Sequence, residues 1–378
     1  MEKRYLFTPG PTPVPPEVLA AMAEPIVHHR GPDFRGIYER TLGRLKEVFR
    51  TPDDVLVFSA SGTGAMESAV DNLAAPGDRV AVVSHGSFGD RWIAICERHG
   101  LDVQAIKYEW GEVPDPDEIG AAVRDAGVEL VFCQHSDTST GVVSDVRRVK
   151  EAVGDATLVV DAVSSLGAVP LEMGEWGIDV VVSGSQKALM CPPGIGVVGV
   201  AAKTWDRVRQ SRSFYFDWTA TKKAQDKLDA AFTPAVSLLR GLDVAMGMLL
   251  DDGLDAAFER HLKLGRAARA GVKAMGLELF SPDDDSSAVV TAIRAPEGVD
   301  SDVLLKHLRD RHGVTLAPGQ GALKGKVFRI GHIGWFDVFD IAAALAAVEL
   351  SLAELGADIE RGVAVPQAFE AFEQPVHA

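Results

Sequence analysis

Between Asp54 and Val200 the chain alternates short apolar, β-branched runs with longer stretches of helical periodicity, and few folds accommodate that rhythm. Runs at 55–59, 80–84, 102–106, 129–133, 157–161, 180–183 and 195–200 read as strands. Helices at 63–74, 88–99, 116–125 and 145–153 fall between them. Strands apolar on both faces belong inside a sheet, and helical crossovers make neighbouring strands parallel. The pattern therefore predicts an α/β fold whose large domain is a mainly parallel, seven-stranded sheet covered by helices. Ligands of such sheets bind beyond the carboxyl ends of the strands, so the residues just after each strand are the ones to weigh.

The flanks are different. Residues 7–16 carry Pro9, Pro11, Pro13, Pro15 and Pro16 and can form neither a regular helix nor a central strand. They read as an extended arm ending at a helix start near Pro15, with helical periodicity again at 33–49. A long helical stretch covers 235–275, interrupted near Asp252-Gly253. Strands at 289–293 and 327–331 with helices at 301–311 and 337–355 predict a smaller α+β domain. The division is an arm at 1–20, a large domain at 21–250 and a small one at 251–378, with a weakly periodic tail beyond Arg361 expected on the surface.

A net charge of −16 argues against nucleic acid and anionic membranes as partners. No apolar run approaches the roughly 18 residues that span a bilayer. Met1-Glu2-Lys3-Arg4 is basic, but the prolines that follow break any signal-peptide core. Cys96, Cys133 and Cys191 are odd in number and lack metal-ligand spacing, which suggests a reducing, cytoplasmic setting and no metal centre.

Five strand ends carry chemistry. Ser61-Gly62-Thr63 opens a helix, whose free N–H groups suit a phosphate. His85 to Arg91 places Phe88 where an aromatic can stack on a planar ring. Gln134 to Gly141 is a run of short polar groups, among which Ser139 could bond a ring oxygen or a phosphate. Asp161 ends an apolar strand and needs a cationic or donor partner. Lys187, beside Gln186 and closed off by Pro192-Pro193-Gly194, sits between two apolar runs. A lysine desolvated there can act as a Schiff-base nucleophile. Phosphate cup, stacking ring, buried acid and reactive lysine are together what pyridoxal 5'-phosphate requires. Gly194-Ile-Gly196-Val-Val-Gly199 matches a dinucleotide fingerprint but lies inside an apolar run instead of opening a helix, so it reads as strand glycines. His28-His29-Arg30 reads as a solvated stretch of the arm with Arg30 near the pocket.

With these motifs the chain resembles the class V, fold-type I aminotransferases, specifically the alanine–glyoxylate / serine–pyruvate group. The resemblance is carried by Pro9-Gly10-Pro11, Ser61-Gly62-Thr63, His135 to Gly141, Asp161 to Gly167, Ser183 to Leu189, Pro192-Pro193-Gly194, Thr233-Pro234 and Arg329-Ile330-Gly331. It implies that Lys187 forms the Schiff base and shuttles the Cα proton, and that Asp161 pairs with the pyridinium nitrogen. Ser61, Gly62, Thr63 and Gln186 would hold the phosphate, Ser139 the phenolic oxygen, and Phe88 and Val163 the ring faces. Arg329 would grip the substrate carboxylate and Gly10 line its pocket. Thr233 would reach the cofactor of a neighbouring subunit, making the active unit a homodimer. The implied reaction is ping-pong transfer of an amino group from alanine or serine to glyoxylate or pyruvate.

Two positions depart from the family pattern. Phe88 stands where many relatives carry Trp, and Ala230 where some carry a phosphate-binding Tyr, for which Tyr215 is a candidate replacement. A dicarboxylate donor such as aspartate would need a second cation, with Arg30 or Arg35 available. Competing readings are a transaminase for a phosphonate or ureido amino acid, a lyase or desulfurase, and a non-catalytic binding or subunit protein.

Overall fold

The computed structural model describes residues 3–376; Met1, Glu2, His377 and Ala378, and with them part of the basic N-terminus and of the tail, lie outside the described residues. Seven strands form one sheet in the order Asp54–Phe58, Gly196–Val200, Val180–Gly184, Thr157–Asp161, Leu130–Gln134, Arg79–Ser84 and Asp102–Lys107. Every pairing from Val180–Gly184 to Asp102–Lys107 is parallel. Gly196–Val200 runs antiparallel to both its neighbours. The cause is local: residues 185–195 contain no crossover helix, so the chain turns back directly.

This topology brings Phe58, Ser84, Gln134, Asp161 and Gly184 to one edge of the sheet. Strands 157–161, 180–184 and 196–200 are buried along their whole length, as their β-branched composition predicts. Of the glycines of the false dinucleotide fingerprint, Gly196 and Gly199 lie in the last of these and allow close packing, whereas Gly194, expected in the strand, precedes it with φ +137°. A Cβ on Gly199 would sit 2.7 Å from the Phe49 ring and 2.8 Å from Met173 Sδ, and one on Gly196 2.9 Å from the Ser61 carbonyl.

A second core surrounds a three-stranded sheet in the order Val290–Arg294, Val327–Gly331, Ala317–Pro318. The arm belongs to it. Tyr5–Leu6 pairs in parallel with Val314–Thr315, Phe7 is buried there, and the Gly331 N–H donates to the Phe7 carbonyl at 2.8 Å. The two cores meet along the helix Leu254–Ala274, which carries Phe258 in the first and Leu264 in the second.

Two stretches differ from expectation. Residues 201–234 hold a helix, Trp218–Gln225, whose fully buried Trp218 donates its indole N–H to Ser68 Oγ at 3.1 Å. The tail forms a helix, Ala364–Glu373, and buries Ala364 and Ala368 in the second core. Its inward positions include alanines, which fit against the helix Leu254–Ala274 but give a weak apolar period. Among the described residues no helix is long and apolar enough to cross a membrane.

Candidate active site

The strand ends, helix starts and arm enclose a cavity of about 270 Å³. Its floor begins after strand 54–58. Ser61 caps the helix Gly62–Leu73, its Oγ accepting from the Gly64 N–H at 3.4 Å. The remaining N–H groups of the first turn, those of Gly62 and Thr63, have no intrahelical partner and suit an anion. A Cβ on Gly62 would sit 2.6 Å from Val163 Cγ2, so only glycine lets this helix start reach the wall formed by Val163. Gln186 lines the same cavity, and its Oε1 is buried with no protein partner.

Phe88 lies in the first turn of the helix Ser87–Arg98 and walls the cavity. Its position is fixed by Asp137, which is fully buried and accepts from the backbone N–H of Phe88 at 2.9 Å and of Gly89 at 3.3 Å. Ser139 donates its hydroxyl to Asp137 at 2.6 Å and accepts from the Ser87 N–H at 2.9 Å. Ser139, expected against the cofactor, is thus fully buried and off the cavity wall, where Ser136 stands instead. Its hydroxyl is taken up by holding the start of the helix Ser87–Arg98 against the 136–139 segment.

Sequence reasoning gives Arg91 no role. In the structure it lines the cavity, donates to Thr63 Oγ1 at 2.9 Å, and places its guanidinium 4.6 Å from the centre of the Phe88 ring. It brings a full positive charge to the helix start that forms the anion cup. The signal available is its place three residues after Phe88, hence on the same helix face.

Asp161 ends its strand inside the cavity wall. Val163 donates its N–H to Oδ1 at 2.8 Å, but no cation is bonded to it among the described residues. Burial foremost pushes its carboxyl up to about 7. Lys187 faces the same space. Burial first, then repulsion from Arg329, pulls its ammonium down to about 8. The Lys187 carbonyl accepts from Thr12 Oγ1 at 3.1 Å and the Met190 N–H at 3.0 Å, tying the lysine loop to the arm. Gly10 supplies the remaining wall. Its φ of +151° disfavours other residues, and a Cβ there would sit 2.5 Å from Lys187 Cδ and 2.6 Å from Nζ.

Arg329 is buried in mid-strand and acts on the cavity through its charge, without standing on its wall. Nε and Nη2 donate to the Pro318 carbonyl at 3.0 and 2.8 Å, and Nη1 donates to the Thr138 carbonyl. Burial lowers its guanidinium to about 10. Thr233 lies elsewhere, in a small cavity with Ser59, Tyr215 and Ala230. The Tyr215 hydroxyl donates to the Ser59 carbonyl at 3.3 Å, and its ring stacks on Phe232. Arg30 is exposed and paired with Asp229 at 2.9 Å; neither it nor the exposed Arg35 walls the cavity.

A buried amine, a buried carboxyl lacking a cation, a ring wall and a cationic anion cup fit one ligand carrying an aldehyde, a basic ring nitrogen and a phosphate. The donor set therefore suits pyridoxal phosphate.

The model of the family described as Aminotransferase class-V matches residues 4–331. A protein of Synechococcus sp. named soluble hydrogenase, small subunit, is 41% identical over 363 residues, covering 94% of each chain. A serine–glyoxylate aminotransferase of Hyphomicrobium methylovorum is 39% identical over 384 residues, covering 98% of this chain and 95% of that one. The crystal structure of ureidoglycine–glyoxylate aminotransferase from Bacillus subtilis superposes with a TM-score of 0.94 at 32% identity, covering 99% of both chains.

Proposed function

The chain belongs to the class V aminotransferases, and on that premise we propose that it transfers an amino group from a small amino acid, serine or alanine, to glyoxylate or pyruvate, with pyridoxal phosphate held covalently by Lys187. The observation that carries this reading is the shared cavity of Lys187 and Asp161, each moved by burial toward its neutral form. When bound, pyridoxal phosphate supplies the electron sink and the carbon that carries the amino group between donor and acceptor.

The chain's own residues do the rest. Ser61, Gly62, Thr63, Gln186 and Arg91 would hold the phosphate, and Phe88 and Val163 would hold the ring. Asp161, ionised beside a protonated ring nitrogen, would gain the cation it lacks and keep that nitrogen charged. Lys187, about half neutral near pH 8, can take the proton from the substrate Cα and return it. Ser139 acts through Asp137, which fixes the turn that presents Phe88. Arg329 uses three of its five N–H donors on carbonyls, leaving one on Nη1 and one on Nη2 for a substrate carboxylate. Arg30 is exposed and paired with Asp229, and Arg35 is exposed, whereas Arg329 is buried; neither Arg30 nor Arg35 is placed like Arg329 to hold a second carboxylate, which supports a monocarboxylate donor over aspartate.

The named aminotransferase relatives share glyoxylate and differ in donor, which supports glyoxylate as acceptor. A ping-pong order follows if donor and acceptor use the same Lys187 and Arg329. A homodimer is supported by the place of Thr233 outside its own chain's Lys187 cavity, next in the chain to Phe232, whose ring lies 5.4 Å from that of the exposed Phe214. A cytoplasmic setting is supported by three free, buried cysteines.

The test is glycine formation from glyoxylate by the loaded protein with serine, alanine or aspartate as donor. Serine or alanine should far exceed aspartate. The reverse order would refute the monocarboxylate assignment. No glycine from any donor would favour a non-catalytic subunit role, the reading suggested by the hydrogenase-named relative.

A further inference from the structure

In the small domain the helices Ser301–His312 and Val338–Glu354 pack together and end near each other. Glycine turns fix both ends: Gly313 takes φ +66° directly after His312, and Gly356 takes φ +79° two residues after Glu354. The turn at Gly313 is closed by its N–H donating to the Arg309 carbonyl. At this junction two imidazoles converge on one carboxylate oxygen. Nε2 of His312 lies 2.8 Å and Nε2 of His307 3.4 Å from Glu354 Oε2, with the imidazole rings 5.5 Å apart.

A carboxylate in the last turn of a helix opposes the helix dipole, and a cation beside it removes that penalty. His307 and His312 keep only 20% of their side-chain surface exposed and Glu354 38%, so the donors are partly sheltered yet open to water on one side. One ligand atom from each residue can be chosen so that all three lie within 4.8 Å of one another. Zinc-class ions bind imidazole nitrogen and carboxylate oxygen at about 2.0–2.2 Å. Donors within 4.8 Å of one another would have to draw closer, by side-chain rotation, to share one such ion.

We propose that His307, His312 and Glu354 form a binding site for a divalent transition-metal ion of the zinc class, completed by water. Two imidazoles with one carboxylate favour such an ion over magnesium or calcium, which prefer all-oxygen sites. None of the three residues walls the Lys187 cavity, so the ion joins the two helices and takes no part in amino transfer.

The test uses protein loaded with pyridoxal phosphate, cleared of metal by a chelator and titrated calorimetrically with zinc chloride. One site per chain is expected. Removing a ligand by H307A or H312A should weaken it by more than the roughly 10–100-fold that a lost second-shell partner costs. E354Q should weaken it as well, and it keeps the shape of the carboxylate should a histidine variant fail to fold. Replacing His28 and His29 by alanine should leave this site unchanged. Copper(II) at the same site should show two imidazole nitrogens by electron paramagnetic resonance, falling to one in either single-histidine variant. Wild type and the H307A/H312A double variant titrating alike, or a copper spectrum indifferent to these residues, would reduce the group to an ion-pair cluster and overturn the proposal.

Discussion

Replacing Lys187 by methionine should stabilise the protein stripped of pyridoxal phosphate, and the gain should vary with pH in a defined direction. Burial lowers the Lys187 ammonium from an ordinary 10.5 to about 8. At pH 7 the folded chain therefore holds a charge it would shed more readily than the unfolded chain does. The fall from 10.5 to about 8 corresponds to about 3 kcal/mol of lost stability. Methionine matches the stem of lysine and leaves little cavity, so packing should change little.

The sign is set by proton counts. Between about pH 8 and 10.5 the unfolded chain binds more protons at this site than the folded one, so wild-type stability rises with pH there. A thioether at this position does not titrate and has no such response. The excess stability of Lys187→Met should be about 3 kcal/mol at pH 7 and should shrink as pH rises through 8 toward 10.5. Urea unfolding of both proteins across that range measures it. Asp161 offsets part of the gain, since it loses an attractive neighbour. A Lys187→Met protein less stable than wild type at pH 7, or an excess independent of pH, would refute the claim that the lysine is held desolvated.

Gly10→Ala should leave the fold of the large sheet intact but hinder covalent attachment of pyridoxal phosphate, because the added methyl meets the lysine stem; an unchanged absorbance band for the attached cofactor would contradict this. Arg91→Gln should weaken cofactor affinity by about 1.5–3 kcal/mol, the usual worth of a hydrogen bond to a charged group, as read by equilibrium dialysis. Asp161→Asn should keep the cofactor bound yet slow exchange of the substrate Cα proton, followed by deuterium loss in NMR. Arg329→Lys should raise the KM for the amino acid more than it lowers kcat, since a single ammonium replaces a planar fork.

The sheet was legible because buried strands are written as β-branched runs, and each strand in this one is buried or paired along its length. Lys187 and Asp161 were legible because an ionisable residue among apolar neighbours must have a partner. Arg91 and Asp137 were not. Their roles arise where the start of the helix Ser87–Arg98 meets segments far away in the chain: the 136–139 segment for Asp137, and Thr63 at the start of the helix Gly62–Leu73 for Arg91. The same meeting takes Ser139 away from the cavity wall. The helix Trp218–Gln225 escaped because Trp218 packs against Ser68 and Asn72, leaving no long amphipathic run of its own. The tail helix escaped because its buried positions are alanines.

The central claim is that Lys187 carries the cofactor in a cavity built for amino transfer. Borohydride reduction of the purified, loaded protein, followed by digestion and peptide mass spectrometry, tests it directly. The account predicts one pyridoxyl-phosphate modification per chain, on the peptide containing Lys187, and none after prior incubation with an amino donor that strips the lysine. Modification of a different lysine, or none with the yellow cofactor band present, would contradict it.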